Sequence, residues 1–416
     1  MREDLQPTIA AIWRIESPKL IAALSRMLRD VGRAEDLVQD AFVSALSQWP
    51  DEGIPRNPGA WLMTAAKRRA IDSLRRETTF RKKAAAFQRD LSVDGIEPDF
   101  SASYEDIDDD MLRLMFVACH PVLSQEARVA LTLKLVAGLT TAEIARAFLT
   151  SEPTIAQRIV RAKRALSEAH VPFEVPAEHD RLARLSSILE AIYLIFNEGY
   201  AATAGNDVLR PELVEDALRI ARMLAGLMPH ELEVHGLVAL MELQASRMPA
   251  RVGPSGEPIR LLDQDRGKWN RLLVGRGLEA LERAQRFGAL GPYGLQAAIA
   301  ACHARAATPE QTDWERIAAL YDALAQLSPT PVVELNRGVA VGMAFGAQAG
   351  LDIVDALRDD PALKTYHLLP SVRGDLLFKL ARFSEARSEF ERAAAMARNT
   401  RDRTLLLGRA AACPRD

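Results

Sequence analysis

The sequence predicts an all-α protein made of consecutive helical blocks, and three observations carry that expectation. Apolar residues make up 48% of the chain with alanine and leucine prominent, they recur at helical spacing, and β-branched or aromatic clusters bounded by Gly and Pro are scarce. Almost no sheet is expected. A length of 416 residues suffices for about two to four domains with substantial cores.

The first block covers residues 8 to 87 and reads as the helical segments IAAIWRIESPKLIAALSRML, RAEDLVQDAFVSALSQWP and AWLMTAAKRRAIDSLRR. Breaks fall at Asp30 to Gly32 and in PDEGIPRNPG, whose prolines and glycines end one helix before Ala60 starts the next. In the second segment Asp36, Gln39 and Asp40 share one helical face, while Leu37, Ala41, Phe42 and Leu46 are expected to be buried on the other. Such an acidic stripe serves solubility as readily as binding. The third segment sets Lys67, Arg68, Arg69, Arg75 and Arg76 around a helix that also carries Trp61. Cations track phosphates and an aromatic ring stacks on an unpaired base, a combination suited to single-stranded or melting DNA.

Next comes a polar stretch, Asp90 to Asp110, with nine acids, which reads as an extended linker. Asp108, Asp109 and Asp110 precede the helix MLRLMFVAC, where capping and the helix dipole favour acids in any case.

Residues 140 to 166, TTAEIARAFLTSEPTIAQRIVRAKRAL, then give a helix, a tight polar break and a second helix. Thr141, Ile144, Ala145 and Phe148 form an apolar face on the first, and Thr150 and Ser151 supply the turn and the N-cap. On the second, Ile155, Ile159, Ala162 and Leu166 face inward, while Arg158, Arg161, Lys163 and Arg164 lie elsewhere with no acid among them. That is the layout of a helix-turn-helix, whose second helix enters the major groove N-terminus first. Two short amphipathic helices with a solvated basic face are the alternative reading. Pro153 falls in the first turn, where the amides lack intrahelical partners, and should not break the helix.

Pro172 and Pro176 mark a boundary, and from about Ala177 onward helical segments alternate with Gly and Pro. Gly374, Phe383, Ala386, Phe390 and Ala393 occupy the small and aromatic positions of a tetratricopeptide repeat, with a weaker echo from Gly338. Earlier repeats are degenerate, so the region reads as a tetratricopeptide-like helical array.

A net charge of −3 argues against a protein that coats nucleic acid, but the charge is partitioned. The first 83 residues and the segment from about 128 to 164 lean basic, whereas 90 to 110 is acidic. Cys119, Cys302 and Cys413 are odd in number and far apart, which supports neither a disulfide framework nor a thiolate zinc site. The N-terminus MREDLQPTIA lacks an apolar signal core, and no run approaches the roughly 20 apolar residues of a membrane span. A soluble, cytoplasmic protein is expected, with no metal and no cofactor. With no phosphate-cradling Gly-rich loop, nucleophile motif or cluster of metal ligands, an enzyme is the least favoured class.

Taken in order, these motifs resemble the RNA polymerase sigma-70 family, in its extracytoplasmic-function subgroup. RAEDLVQDAF is similar to the family's core-polymerase-binding helix, which implies polymerase contacts at Asp36, Gln39, Asp40 and Phe42. NPGAWLMTAAKRRAIDSLRR is similar to the helices that recognise and melt the minus-ten element, which implies DNA contacts at Trp61, Lys67, Arg68, Arg69, Asp72, Arg75 and Arg76. The helix-turn-helix is similar to the domain that reads the minus-thirty-five element, which implies contacts at Ser151, Thr154, Gln157, Arg158, Arg161, Lys163 and Arg164. Arg68 stands where many members carry Asn in the WLxxxARN pattern, so base selection at the minus-ten element is expected to differ. The resemblance spans about residues 8 to 170. It also implies that EDIDDD runs through the polymerase's RNA path, against which stands a solvated tether with capping acids.

Beyond that span LIFNEGYAAT, LLDQDRGKW, GPYGLQAAIAACHA and LNRGVAV look like the tetratricopeptide-like extension of one subgroup of these factors, where the extension is held to carry the control. The implied organisation is 1–88 for polymerase binding and minus-ten recognition, 89–110 for the acidic linker, 111–172 for the helix-turn-helix, and 173–416 for a regulatory array. The implied partners are core RNA polymerase, promoter DNA and a protein or intramolecular partner of the array, with no membrane. The competing readings are a polymerase-independent helix-turn-helix regulator with a sensing array, and a scaffold whose array binds a protein; DLVQDAF discriminates the first of these from a promoter-specificity subunit. Three further places carry two readings each. Cys119 with His120 is a helix end before Pro121 rather than a metal site. Asn197, Glu198 and Tyr200 line a ligand pocket or mark a helix end capped at Gly199. Asp263, Asp265 and Arg266 before Trp269 form a binding element or an N-cap with an ion pair.

Overall fold

The computed structural model describes residues 5–87, 107–148, 150–200, 209–254, 257–397 and 400–414. Most of the expected acidic linker lies outside these residues. Among the described residues every regular element is a helix, and extended chain pairs only at an isolated bridge between Val252 and Pro258. The chain divides into two compact units, Met1–Ile192 and Tyr193–Asp416.

The first unit opens with α1 (Leu5–Leu28), α2 (Val31–Glu52) and α3 (Pro58–Phe87). Arg29 takes a φ of 53° at the first corner, and Asp30 caps α2 by accepting the Arg33 N–H at 3.0 Å. The loop is shorter than the sequence suggests. Pro50 sits inside the last turn of α2, and α3 starts at Pro58 rather than Ala60, because proline costs little in a first turn whose N–H is unpartnered anyway. Leu20, Ile21, Leu24, Val38, Ala45, Trp49, Leu62 and Ala66 fill the core between the three helices.

The helix-turn-helix follows as α4 (Ile107–Ala118), α5 (Gln125–Leu135), α6 (Thr141–Ala147) and α7 (Glu152–Glu168). Each helix start from α5 on is closed by its own hydroxyl: Ser124 caps α5, Thr140 and Glu143 form a capping box on α6, and Ser151 caps α7. Gly138 turns the chain at φ +74°, where a side chain would be strained and would also press on the Arg14 backbone. Leu114, Phe116, Leu131, Leu133, Ile144, Ile155 and Ile159 make a second small core. These helices pack onto α1. Trp13 donates its indole N–H to the Gly138 carbonyl at 3.0 Å, and Arg26 meets the buried Asp110 at 3.5 Å.

Helix α8 (Glu178–Tyr200) leads into the second unit, which continues as α9 (Pro211–Leu227), α10 (Leu232–Ala245), α11 (Arg271–Arg286), α12 (Pro292–Arg305) and α13 (Trp314–Leu327). It ends with α14 (Pro331–Ala344), α15 (Ala347–Asp355), α16 (Leu368–Lys379), α17 (Phe383–Met396) and α18 (Thr400–Ala411). Small residues set the helix crossings here, as the repeat template requires. A Cβ on Gly374 would lie 2.7 Å from the Phe390 ring, and one on Gly350 would lie 2.5 Å from the Gly338 carbonyl oxygen. Phe390, Ala386 and Ala393 are fully buried. Glu233 of α10 reaches across to the start of α12 and accepts the Tyr293 and Gly294 amides at 2.9 and 3.1 Å, although burial pushes its carboxyl up.

Candidate nucleic-acid and partner interfaces

On α2 the helical period separates two faces. Val38, Ala41, Phe42 and Ala45 are buried, whereas Asp36, Gln39 and Asp40 are exposed. Phe42 is 4% exposed and meets Trp13 edge-on at 4.8 Å, so among the residues expected to touch the polymerase it supports the helix from beneath. Leu46, expected inside, is 45% exposed, and Val43, not singled out from the sequence, is 63% exposed. Both continue the Asp36 and Asp40 stripe at helical spacing, which was the available signal. The result is an acidic stripe with two bare aliphatic side chains at its end, a composition suited to a protein partner.

On α3 the cations are unequal. Arg68, Arg75 and Arg76 are exposed, as is Asp72. Lys67 and Arg69 are half-buried, and Arg69 donates to the Ser44 hydroxyl and to the Ala65 carbonyl, tying α3 to α2. Trp61 stands edge-on to the buried Trp49 at 5.5 Å, so its half-buried ring rests on a fixed neighbour. Arg76 folds back onto the Asp72 carbonyl at 3.2 Å.

On α7 the inward row Ile155, Ile159, Ala162 and Leu166 is buried as the spacing requires. Ser151, Thr154, Gln157 and Arg161 are exposed, with Arg158 half-buried beside the Ser124 cap of α5; Val160 is also bare at 64%. The sequence placed no acid among the cations, and the structure supplies two. Arg164 pairs with Glu168 at 2.7 Å, and Lys163 pairs with Glu35 of α2. Glu35 is 1% exposed and also faces Lys134 at 3.6 Å, while its Oε1 accepts the Gln39 side chain at 2.8 Å. One buried carboxylate on α2 thus binds two lysines of the helix-turn-helix.

The remaining places resolve individually. The Cys119 thiol lies 3.2 Å from the Thr132 hydroxyl and is pushed up to about 11 by burial, and His120 accepts the Val122 N–H at 3.2 Å beyond the helix end. Cys302 and Cys413 are likewise buried and free. Gly199 caps nothing, because α8 runs on to Tyr200; a Cβ there would lie 2.8 Å from the Val214 amide, so the glycine admits the start of α9. Glu198 pairs with Arg210, Asn197 bonds Tyr193, and Tyr200 stacks on Phe196 at 5.4 Å. Asp265 caps a turn of 3-10 helix at Arg266–Lys268, Asp263 pairs with Arg260 at 2.6 Å, and Arg266 is buried. Among the described residues no group of three or more His, Cys, Asp or Glu side chains is arranged to hold a metal ion, and no helix is long and apolar enough to cross a membrane.

Residues 12–80 match the family model for sigma-70 region 2, and residues 113–166 the model for sigma-70 region 4. Residues 184–285 match a family of unknown function. An uncharacterized protein of Rhizobium meliloti (strain 1021) is 43% identical over 388 residues, covering 92% of this chain and 90% of its own. A probable ECF RNA polymerase sigma factor, SigI, of Mycobacterium tuberculosis is 31% identical over 181 residues, 42% of this chain and 60% of that one. The ECF RNA polymerase sigma factor SigK of Mycobacterium ulcerans is 28% identical over 152 residues, 36% of this chain and 78% of that one.

Proposed function

The chain belongs to the sigma-70 family as an extracytoplasmic-function RNA polymerase sigma factor, and from that premise we propose how its faces divide the work of promoter recognition and initiation. The exposed stripe of Asp36, Gln39, Asp40 and Val43 on α2 meets core RNA polymerase, with Phe42 holding the stripe in place. Arg68, Asp72, Arg75 and Arg76 engage the minus-ten element beside Trp61, while Lys67 and Arg69 act closer to the helix-helix contact. Ser151, Thr154, Gln157, Arg158, Arg161 and Arg164 read or grip the minus-thirty-five element. The observation that carries this division is α2 itself, whose acidic face is exposed while its apolar face is fully used.

Lys163 is drawn toward Glu35, which weakens its pull on a DNA phosphate, and we read this arrangement as a closed form that relaxes when α7 parts from α2. The family is not an enzyme class, and the chain is read as having no catalysis of its own and as working in the cytoplasm beside polymerase. Residues 1–88, 89–110 and 111–172 form the promoter-reading part, and 173–416 a helical array that regulates it.

In vitro transcription with core polymerase tests both parts. The double substitution Asp36→Arg and Asp40→Arg should abolish core binding and transcription while leaving duplex binding by α7 intact; transcription at the wild-type level would remove the polymerase-binding role of the stripe. A chain ending at residue 176 should transcribe to a different extent from the full chain. Equal output under every condition would remove the regulatory role of the array.

A further inference from the structure

Several arginines drawn into the second unit meet carboxylates: Arg210 pairs with Glu198 and Arg409 with Asp375. Among the described residues two arginines are buried, and they differ. Arg373 lies between Asp355 at 2.6 Å and Glu389 at 3.1 Å, whereas Arg266 donates only to neutral oxygens, the His303 and Ala306 carbonyls at 2.8 and 2.7 Å and the Thr312 hydroxyl at 2.9 Å.

Two further cations gather beside Arg266. The Arg247 guanidinium carbon lies 6.0 Å from the Trp269 ring centre and 5.8 Å from that of Tyr200, and Arg251 lies over the same Tyr200 ring at 3.7 Å. Arg266 lies 5.3 Å from Trp269 on its own account. Among the described residues no carboxylate comes within ion-pair distance of Arg247, Arg251 or Arg266. The exposed Glu310 acts on Arg266 from beyond ion-pair distance, and the polar groups of Tyr321, Tyr193 and His303 stay neutral. Burial pushes the Tyr321 hydroxyl up to about 12, Tyr193 is raised for the same reason, and His303 is pushed down to about 4 by burial and by Arg247 and Arg266. Buried polar atoms without a partner concentrate at the same place: the Nε of Arg247, the Nε of Arg266, the indole N–H of Trp269 and the Nδ1 of His303. Interiors ordinarily pair such charges and satisfy such atoms.

We infer that this cluster, in which Arg247 and Arg251 lie beside the Tyr200 and Trp269 rings, binds a small oxyanion carrying carboxylate or phosphoryl groups. Arginine forks match the planar or tetrahedral oxygens of such a ligand two at a time, and the rings beneath hold the forks in place. Tyr193 and Tyr321 remain protonated donors at neutral pH. A nucleic acid is disfavoured, because the segment that supplies Arg266 also carries Glu257, Asp263 and Asp265 on its exposed side, which suits one compact anion rather than a strand. Arg266, bound to three neutral oxygens, positions Trp269 and adds its field without needing to touch the ligand. The site does not depend on the array being regulatory, since binding is read directly and regulation is read by transcription.

Calorimetry on the full chain tests the assignment, with inorganic pyrophosphate as the phosphoryl probe and citrate as the carboxylate probe. At least one should bind one to one. Arg247→Gln and Arg251→Gln should each weaken it by roughly tenfold or more, while Arg276→Gln, an exposed arginine of α11, leaves it unchanged. Whichever probe binds identifies the chemistry. Histidine NMR supplies a second readout, since a bound anion should raise the titration midpoint of His303. Should the Gln variants not fold, Arg247→Lys keeps the charge but loses the fork and should still bind more weakly than wild type. No binding by either probe, or equal binding by wild type and the arginine variants, overturns the inference.

Discussion

Replacing Glu35 by Gln removes the carboxylate that faces both Lys134 and Lys163 and leaves two partly buried ammonium groups opposite an amide. Stripping one partner from a buried ion network exposes the full desolvation cost of the others, here moderated because the lysines retain some solvent. Denaturant unfolding should show a loss of about 2 to 4 kcal/mol in the first unit. A change below about half a kcal/mol would mean that Glu35 is not holding the two lysines. His303 gives a prediction of the opposite kind, one of pH. Its imidazole titrates near 4 in the fold against an ordinary 6.5, so on going from pH 6.5 to pH 4 the unfolded chain takes up a proton that the folded chain refuses. Stability is therefore complete above pH 6.5 and falls by up to about 3 kcal/mol as pH drops to 4. Unfolding measured across that range should show the slope in wild type and a shallower one in His303→Gln. Equal slopes would contradict a buried, neutral imidazole.

Helix starts and helix crossings differ in how far they could be read in advance. Ser151, three residues before the amide it accepts, is a local signal, and so is the apolar row of α7; both stand where the spacing put them. The small residues of α16 and α17 were legible for a related reason, since the repeat template encodes a crossing within one helical pair. What escaped reading depends on distant chain. Gly199 looked like a cap because the approach of Val214 is invisible in sequence, and Lys163 looked free because Glu35 belongs to another helix of the unit. Phe42 carried two signals, an inward helical position and a family role at the surface, and packing on Trp13 fixed where its ring lies. The crossing of α14 and α15 provides the test at this scale. A Cβ at Gly350 would meet the Gly338 carbonyl and the Gly342 backbone, none of which can move alone, so Gly350→Ala should cost about 1 to 3 kcal/mol despite its gain in helix propensity. A stabilised Gly350→Ala protein would show that the two helices separate freely.

At the scale of the molecule, a net charge of −3 conceals the partition on which DNA binding depends. Because α7 contributes cations locally, duplex affinity should fall steeply with salt even though the chain is acidic overall. Substituting Arg158 and Arg161 by Gln together should reduce the slope of log affinity against log salt by about 2, read by fluorescence anisotropy. An unchanged slope would place the phosphate contacts elsewhere. The all-α architecture was legible from composition and periodicity, whereas the proposed oxyanion site was not, since Tyr200, Arg247, Arg266 and His303 share no motif and meet only through folding. The burial of all three cysteines has a practical side. With the native thiols shielded, and that of Cys119 held far above neutrality, a cysteine placed at the bare positions Val43 or Val160 would be the thiol that a maleimide dye reaches first. A dye pair on those two helices would then report in real time, molecule by molecule, how often α7 and α2 stand apart.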